Sequence, residues 1–373
     1  MKVMTIIGTR PEIIKMSRVI SALDKSVNHI LVHSGQNHDY ELNQVFFDEL
    51  NIRKPNFFLE VAGGTTMEMV ARILTRTDEL LLQEKPDAVV IYGDTNTGLA
   101  AIAAKKRKIP IFHLEAGNRC YDQNVPEELN RKIIDHLSDI NMVLTEHARR
   151  NLLAEGLRQD AIVKTGSHMR EVFIHHMSSI TSSKVIAKEG VVPNRYFLVS
   201  AHREENVDNP DVLREILAAL NKLATKYKFP ILMSNHPRTK KRIELLIGHK
   251  RHPLIKFSKP YGFFDYVNLQ MNAACVITDS GSITEEASLL NFPAISIRRA
   301  HERPEGVDSG TILLAGTDAK DILTGVHAAM KLHQGERALS NAVDDYSNDS
   351  VSTSIVKAII GYTGYVNRNT WKK

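Results

Sequence analysis

The length, composition and charge of the chain set the first limits on what it can be. It has 373 residues, of which 43% are hydrophobic and 24% are charged. These proportions are ordinary for a globular protein and exclude a largely disordered one, while the length predicts about two domains. Two cysteines are too few for a disulfide scaffold or a cysteine-rich zinc fold.

The sequence lacks the features of a membrane or secreted protein. No apolar run approaches the roughly 20 residues that a membrane helix needs, and residues 1–8 read as a first strand rather than a signal peptide. We therefore expect a cytoplasmic protein without a membrane partner. The net charge of +5 favours an anionic ligand, but no nucleic-acid motif accompanies the scattered cations, so no nucleic-acid partner is expected.

In the first half, short apolar runs alternate with longer amphipathic stretches, which is typical of parallel α/β units. The predicted strands are residues 3–7, 29–33, 88–92, 109–114, 142–144 and 162–164. The intervening stretches are predicted to be helical. Among them, Thr65 and Glu68 indicate the start of a helix that ends near residue 85.

A second series of the same kind follows a polar connector at about residues 178–195. Its predicted strands are residues 197–200, 231–233, 254–257, 276–278, 294–297 and 312–314. The clearest helices are predicted at residues 211–227, 318–333 and 352–365. The two series predict two Rossmann-like α/β domains.

Ligands of open parallel sheets bind at the carboxyl ends of the strands, so the residues that follow each strand are site candidates. Residues 8–12 (Gly-Thr-Arg-Pro-Glu) follow the first strand, and their glycine turn and early proline predict a helix start. Its free amides, with Arg10 and Lys15, suit an anion. An ordinary helix start with exposed cations explains the motif equally well.

Carboxylates follow two strands that are consecutive in the chain. Asp94 comes after strand 88–92 and Glu115 after strand 109–114. Each could simply be a helix N-cap, but together they favour two acids directed at one cleft. Glu127 begins the next helix and could add a third carboxylate, with Arg131 one turn later to orient it. Its alternative role is to complement the helix dipole.

The second series places different groups after its strands. His202 and Arg203 follow strand 197–200. A single histidine is usually structural, but the pair at a strand exit is a candidate diphosphate clamp.

A serine-rich turn follows strand 276–278. Ser282 and Glu285 have the spacing of a capping box, which would account for both structurally. The turn is also a helix N-terminus suited to phosphate, formed by Ser280, Gly281 and Ser282. Glu286 could accept hydrogen bonds from ribose hydroxyls.

Several cofactor motifs are absent from the sequence. It has no G-x-G-x-x-G and no G-x-x-x-x-G-K-[ST], so dinucleotide and P-loop chemistry lack their motifs. H-E-x-x-H and C-x-x-C are also absent, and for His113 a core position is favoured over a metal site shared with Glu115. We expect neither a metal nor a cofactor.

In this order, the motifs resemble those of the non-hydrolysing UDP-N-acetylglucosamine 2-epimerase family. The matching segments are residues 8–12, 93–95, 115–117, 126–131, 279–281 and 302–305. The resemblance implies two Rossmann-like domains of the glycosyltransferase-B type facing across a cleft, at residues 1–175 and 190–350. It also implies that residues 351–373 return to the first domain, and that the protein is a homodimer.

Within that family, the chain looks most similar to enzymes that form UDP-N-acetyl-L-fucosamine for capsule or O-antigen. The similarity lies in residues 117–126, 261–266 and 367–371, and in Ser282, where the glucosamine enzymes usually carry glycine. The implied substrate is a UDP-linked 2-acetamido sugar, UDP-2-acetamido-2,6-dideoxy-β-L-talose. The alternatives are a UDP-N-acetylglucosamine 2-epimerase that forms UDP-N-acetylmannosamine and a glycosyltransferase on the same fold.

The resemblance also assigns roles to individual residues. Those assigned to catalysis are Asp94, Glu115, Glu127 and His202. Those assigned to substrate binding are Arg10, Lys15, Arg131, Arg203, Tyr266, Ser280, Gly281, Ser282, Glu286 and Arg303. Tyr266 would stack on uracil, although core packing also explains an aromatic residue there. The implied reaction eliminates UDP to a 2-acetamidoglycal and adds it back after C2 is protonated from the opposite face.

Overall fold

The apolar runs of the sequence form two parallel β-sheets in the computed structural model, which describes residues 1–36, 40–234, 237–246 and 252–373. The chain divides into two units. The first contains Met1–His175 and Asp345–Lys373, and the second contains His176–Asp344. Each unit combines one parallel sheet with helices, so the prediction of two Rossmann-like α/β domains is confirmed.

The first unit contains a sheet with the strand order β3-β2-β1-β4-β5-β6-β7. Its strands are β1 (Lys2–Ile7), β2 (Asn28–His33), β3 (Phe57–Phe58), β4 (Ala88–Tyr92), β5 (Ile111–Leu114), β6 (Ile140–Val143) and β7 (Ile162–Lys164). Every residue of β4 and β5 is buried. Such continuous apolar strands are typical of a parallel sheet covered on both faces.

Helices connect these strands. They are α1 (Arg10–Ser26), α2 (Tyr40–Glu49), α3 (Thr66–Glu84), α4 (Ala100–Lys106), α5 (Pro126–Leu137), α6 (Glu146–Ala154) and α7 (His168–Ser182), within which the two units divide. The C-terminal helix α16 (Val351–Val366) belongs to the first unit and contacts α1. Its Ser352 Oγ donates to Glu171 Oε1 of α7 at 2.6 Å, which fixes the start of the helix.

The second unit repeats the topology, with the strand order β10-β9-β8-β11-β12-β13. Its strands are β8 (Phe197–Ser200), β9 (Ile231–Ser234), β10 (Ile255–Ser258), β11 (Cys275–Thr278), β12 (Ala294–Ser296) and β13 (Leu313–Leu314). Its helices are α8 (Val185–Glu189), α9 (Glu204–Val207), α10 (Pro210–Tyr227), α11 (Pro237–Glu244), α12 (Phe263–Asn272), α13 (Ile283–Leu290), α14 (Glu305–Asp308) and α15 (Ala319–Leu332). In the part of the chain that is described, no helix is both long and apolar enough to cross a membrane.

The predicted strands are present, with bounds that differ by at most two residues at either end. The two-residue strand β3 was not predicted because it is too short to show a pattern. The polar connector predicted at residues 178–195 is partly helical, since it contains the end of α7 and all of α8. The polar side chains at the end of α7 are largely solvent-facing, whereas Ile180 is fully buried and its carbonyl accepts from Asn268 at 2.8 Å.

The start of α3 has the capping hydrogen bonds that the sequence predicts at Thr65 and Glu68. Thr65 Oγ1 accepts from the Glu68 N–H at 3.2 Å, and Glu68 Oε2 accepts from the Thr65 N–H at 2.7 Å. Thr65→Ala should lower the free energy of unfolding by about 1 kcal/mol, because a helix donor loses its acceptor. Urea denaturation measures this loss. Thr75→Ala, at an exposed position inside the same helix, is the matched control, and an equal loss there would contradict a capping role.

Candidate active site

Strand order locates the candidate site in each unit. Ligands of open parallel sheets bind where the order of the strands reverses. β1 lies between β2 and β4 in the first unit, and β8 lies between β9 and β11 in the second. The polar residues that follow these strands, and those after the neighbouring β5, are therefore the first to consider.

Glu12 organises the turn that follows β1. It is 2% exposed, and its Oε2 accepts from the Gly8 N–H at 2.6 Å and the Thr9 N–H at 3.3 Å. Its Oε1 accepts from Thr95 Oγ1 at 2.7 Å. Burial, only partly offset by these hydrogen bonds, raises the pKa of Glu12 to about 7. Glu12 thus joins the turn after β1 to the residue that follows Asp94.

Asp94 is held by Arg131 after β4. The Arg131 Nε and Nη2 atoms lie 2.8 and 2.7 Å from Asp94 Oδ2, and the Asp94 side chain remains 27% exposed. Arg131 Nη1 donates to Glu128 Oε2 at 2.8 Å. One buried guanidinium on α5 therefore fixes the accessible Asp94 carboxylate, whereas the sequence had suggested that Arg131 orients Glu127.

Glu115 follows β5 in an unusual backbone conformation. Its φ of +62° is in the left-handed region, which costs a non-glycine residue about 1–3 kcal/mol and is often found at functional sites. Lys15 Nζ lies 2.5 Å from Glu115 Oε2, and Tyr92 Oη donates to the same oxygen. Both side chains of the ion pair are nearly buried. Lys15, expected to bind an anionic ligand, is therefore paired with a carboxylate of the protein.

The two acids at the start of α5 differ in environment. Glu127 is half-buried, and among the described residues it has no hydrogen bond or ion pair. Glu128 is buried, and it accepts from the N–H groups of Cys120 and Tyr121 at 3.1 Å each. Burial opposes ionisation of Glu128, but these donors and Arg131 together lower its pKa. Glu128 thus shapes the loop, while Glu127 remains accessible for chemistry.

Arg10, the other cation predicted at the first helix start, is exposed. Its guanidinium lies over the Phe46 ring, 5.4 Å from the centroid. This distance is within the range of a cation–π contact. The first unit therefore presents one exposed arginine and one buried lysine at the start of α1.

In the second unit, Asp279 orients His202. Asp279 is fully buried after β11, and it accepts from the N–H groups of His202 and Arg203 at 3.0 Å each. His202 Nδ1 lies 3.1 Å from Asp279 Oδ1, and its side chain is 41% exposed. Burial opposes ionisation of Asp279, but His202 and the backbone donors together lower its pKa. An exposed imidazole is thus held by a buried carboxylate.

The predicted capping box at the start of α13 is wrong. Ser282 has helical dihedral angles (φ −68°, ψ −16°) and makes no side-chain capping bond, because an N-cap needs an extended backbone. Its Oγ instead donates to Glu286 Oε1 at 2.8 Å and lies 3.0 Å from Ser280 Oγ. Gln270 Nε2 donates to Glu286 Oε2 at 2.5 Å. A chain of hydroxyl, carboxylate and amide groups therefore begins at this turn.

Two further predicted binding residues lie in different settings. Arg303 is 5% exposed and pairs with the buried Glu285, which explains the position of that acid better than a cap. Tyr266 is half-buried in the first turn of α12. A Cβ at Gly281 would lie 2.4 Å from Glu302 Oε1, so a larger residue there would displace the Glu302 side chain.

Comparisons with known proteins identify the family of the chain. The family model described as UDP-N-acetylglucosamine 2-epimerase matches residues 21–360. A Rickettsia bellii structure described as UDP-N-acetylglucosamine 2-epimerase is 52% identical, with a TM-score of 0.92 and full coverage of both chains. The chain belongs to the UDP-N-acetylglucosamine 2-epimerase family. It is an isomerase, and the predicted reaction class, 2-epimerisation of a UDP-sugar, is confirmed.

Other members of the epimerase family differ in the sugar that their names specify. The Methanocaldococcus jannaschii enzyme, solved in complex with UDP-GlcNAc and UDP, is 36% identical, with a TM-score of 0.89 and coverage of 97% of this chain and 100% of that chain. A Pseudomonas aeruginosa relative, UDP-2,3-diacetamido-2,3-dideoxy-D-glucuronate 2-epimerase, is 37% identical over 87% of this chain and 90% of its own. Family membership therefore leaves the identity of the sugar open.

The structure of this epimerase adds residues that the sequence did not single out. They are Glu12, Tyr92, Glu128 and Asp279. Each lies within or beside a predicted motif. The roles of Glu12, Tyr92 and Asp279 depend on partners distant in sequence, such as Thr95 for Glu12, and Glu128 binds the loop just before its own helix. Within the described residues, no group of three or more histidine, cysteine, aspartate or glutamate side chains could hold a metal ion.

The raised pKa of Glu12 predicts how stability changes with pH in this epimerase. The folded state keeps the Glu12 proton between its ordinary pKa of 4.5 and about 7. Its contribution is fully present below pH 4.5 and is lost as the pH rises through about 7, amounting to at most about 3 kcal/mol. Urea denaturation of wild type and Glu12→Gln across this range should show a free-energy difference that changes with pH. The exposed Glu79→Gln is the control, and a pH-independent difference for Glu12→Gln would contradict the assignment.

Proposed function

We propose that the protein inverts C2 of a UDP-linked 2-acetamido sugar by elimination and re-addition of UDP. The observation that carries this proposal is the pair of carboxylates after β4 and β5, neighbouring strands in one sheet. Asp94 is paired with Arg131 and Glu115 with Lys15. Each of these acids therefore has a fixed cationic partner at the carboxyl ends of the strands, where ligands of such sheets bind.

The substrate explains why acids are needed. The C2 proton of a 2-acetamido sugar is not next to a carbonyl group, so a base cannot remove it easily at neutral pH. When the C1–O bond breaks, its electron pair leaves with UDP and the anomeric carbon gains positive charge. A carboxylate then takes the C2 proton, and the C–H electron pair becomes the C1=C2 double bond of a 2-acetamidoglycal.

The return steps use the same groups in reverse. An acid delivers a proton to C2 from the opposite face, and a UDP phosphate oxygen attacks C1 to restore the bond. We assign these acid–base roles to Asp94, Glu115 and Glu127 without fixing the face on which each acts. Tyr92, which donates to Glu115, keeps that carboxylate oriented. Lys15 stabilises the ionised form of Glu115, which supports its use as a base.

The second unit supplies the groups that suit a departing diphosphate. His202 and Arg203 follow β8, and the Ser280-Gly281-Ser282 turn follows the neighbouring β11. Asp279 accepts from His202 Nδ1, which leaves Nε2 as the ring nitrogen directed to a ligand. We assign Glu286 to the ribose, Tyr266 to uracil, and Arg10, Arg131 and Arg303 to binding or orienting the substrate.

For the sugar, we propose UDP-2-acetamido-2,6-dideoxy-β-L-talose, which would give UDP-N-acetyl-L-fucosamine for capsule or O-antigen synthesis. The support is Ser282, whose hydroxyl lies between Ser280 and Glu286 at the position where glucosamine enzymes usually carry glycine. The second candidate is UDP-N-acetylglucosamine, favoured by the name of the 52% identical Rickettsia bellii structure. We also propose a cytoplasmic homodimer.

A reaction in D₂O tests the proposed chemistry and the choice of sugar together. Each UDP-sugar is incubated alone with the enzyme, and NMR identifies the product and its deuterium content at C2. We expect the talose derivative to react faster, with one solvent deuteron at C2 because the proton exchanges in the glycal stage. Product without deuterium would contradict elimination, faster turnover of UDP-N-acetylglucosamine would reverse the substrate choice, and a requirement for an acceptor would indicate a glycosyltransferase.

Substitution of the carboxylates tests their roles. Asp94→Asn and Glu115→Gln should each lower kcat by about 10²–10⁴-fold, because an acid–base group is lost. UDP affinity, measured by calorimetry, should stay unchanged, since the proposed UDP contacts are in the second unit. Asp87→Asn is the matched control, because Asp87 is exposed at the opposite end of β4. Wild-type kcat in both site variants would refute the assigned roles.

A further inference from the structure

We infer that His113 is a positioning residue that holds the backbone segments after β4 and β5, which carry Asp94 and Glu115. The inference rests on the proposed function, because it concerns the same carboxylates. His113 lies in β5 and is 1% exposed. Its sequence position suggested only a core histidine, yet both of its ring nitrogens are hydrogen-bonded.

Each nitrogen of the His113 ring has one hydrogen-bond partner. Nε2 lies 2.8 Å from the carbonyl oxygen of Gly93, which can only accept, so Nε2 carries a proton. Nδ1 lies 2.8 Å from Asp135 Oδ1. Arg119 Nη1 donates to Asp135 Oδ2 at 2.7 Å. The His113 ring therefore joins the Gly93 carbonyl to the Asp135 carboxyl group, which Arg119 holds from its other side.

Asp135 links the His113 ring to the backbone segment after β5. Its carboxylate oxygens accept from the Gly117 N–H at 3.2 and 3.3 Å. Arg119, whose side chain is fully buried, also donates to Glu155 at 2.7 and 2.6 Å. The hydrogen bonds of His113 and Asp135 therefore connect the backbone after β4 to the backbone after β5, and Arg119 holds Asp135 in place.

The two backbone groups that the cluster holds are next to the proposed acids. Gly93 directly precedes Asp94, and Gly117 follows Glu115 by two residues. Gly93, Glu115 and Gly117 all have left-handed backbone angles, with φ of +66°, +62° and +81°. The two glycines adopt this conformation without strain, whereas the strained backbone of Glu115 between them depends on surrounding contacts to hold it. An apolar side chain at position 113 could fill the same space but could not bind the Gly93 carbonyl.

Two isosteric substitutions separate positioning from packing. The amide nitrogen of glutamine can reach the place of Nε2, whereas that of asparagine reaches only the place of Nδ1. We therefore expect His113→Gln to keep the Gly93 contact and a kcat within about tenfold of wild type. His113→Asn should release the Gly93 carbonyl and lower kcat by about 100-fold, because the carboxylate is displaced. KM and UDP affinity should remain unchanged in both variants.

Hydrogen exchange gives a readout that does not need activity. Mass spectrometry of peptides spanning residues 93–96 should show faster exchange in His113→Asn than in His113→Gln, and circular dichroism checks that both fold. The exposed His175, changed to the same two residues, is the control. Equal kcat and equal exchange in the two His113 variants, or failure of both to fold, would overturn the positioning role. If wild type does not epimerise but exchange still differs, the proposed function fails while the contact with Gly93 stands.

Discussion

The pairing of each strand-exit carboxylate with a cation is the interaction on which the site in the first unit depends. β4 and β5 are hydrogen-bonded neighbours, so Asp94 and Glu115 leave the sheet at the same edge. Burying an ionised carboxylate without a partner is costly, and the usual response is protonation. Arg131 and Lys15 supply Asp94 and Glu115 with a cationic partner each. The first unit therefore places two acids, each with its own cation, after neighbouring strands.

Glu12 lies after β1, at the same end of the sheet, and binds neutral donors instead of a cation. Its carboxyl group accepts from Gly8, Thr9 and Thr95, and burial raises its pKa to about 7. Glu115, which directly follows β5, has Lys15 Nζ 2.5 Å from its Oε2 atom. Two carboxyl groups of one unit thus differ in environment, because one binds neutral donors and the other a cation. Glu12 instead connects the turn after β1 to the loop that carries Asp94.

The sequence predicted the strands and the polar residues that follow them because both depend on local order along the chain. It did not predict which partner each side chain would select. Lys15 was expected to bind a ligand anion, but the fold brings it to Glu115 across 100 positions of sequence. Ser282 had the spacing of a cap, but its helical backbone excludes that role. Residues 178–195 were predicted as a connector from their polar composition. That composition does not show the contact of Ile180 with Asn268, a residue distant in sequence.

The second unit uses the same strand order with a different electrostatic result. Asp279 follows β11 as Asp94 follows β4, and β11 and β4 hold the same place in their sheets. In the first unit a buried cation binds the acid and leaves it 27% exposed. In the second unit the acid is fully buried and is bound by the N–H groups of His202 and Arg203 and by the Asn206 side chain, and what reaches solvent is His202. One topology therefore presents accessible acids in one unit and an accessible imidazole in the other. An elimination that builds positive charge on a sugar and negative charge on a diphosphate requires both kinds of group.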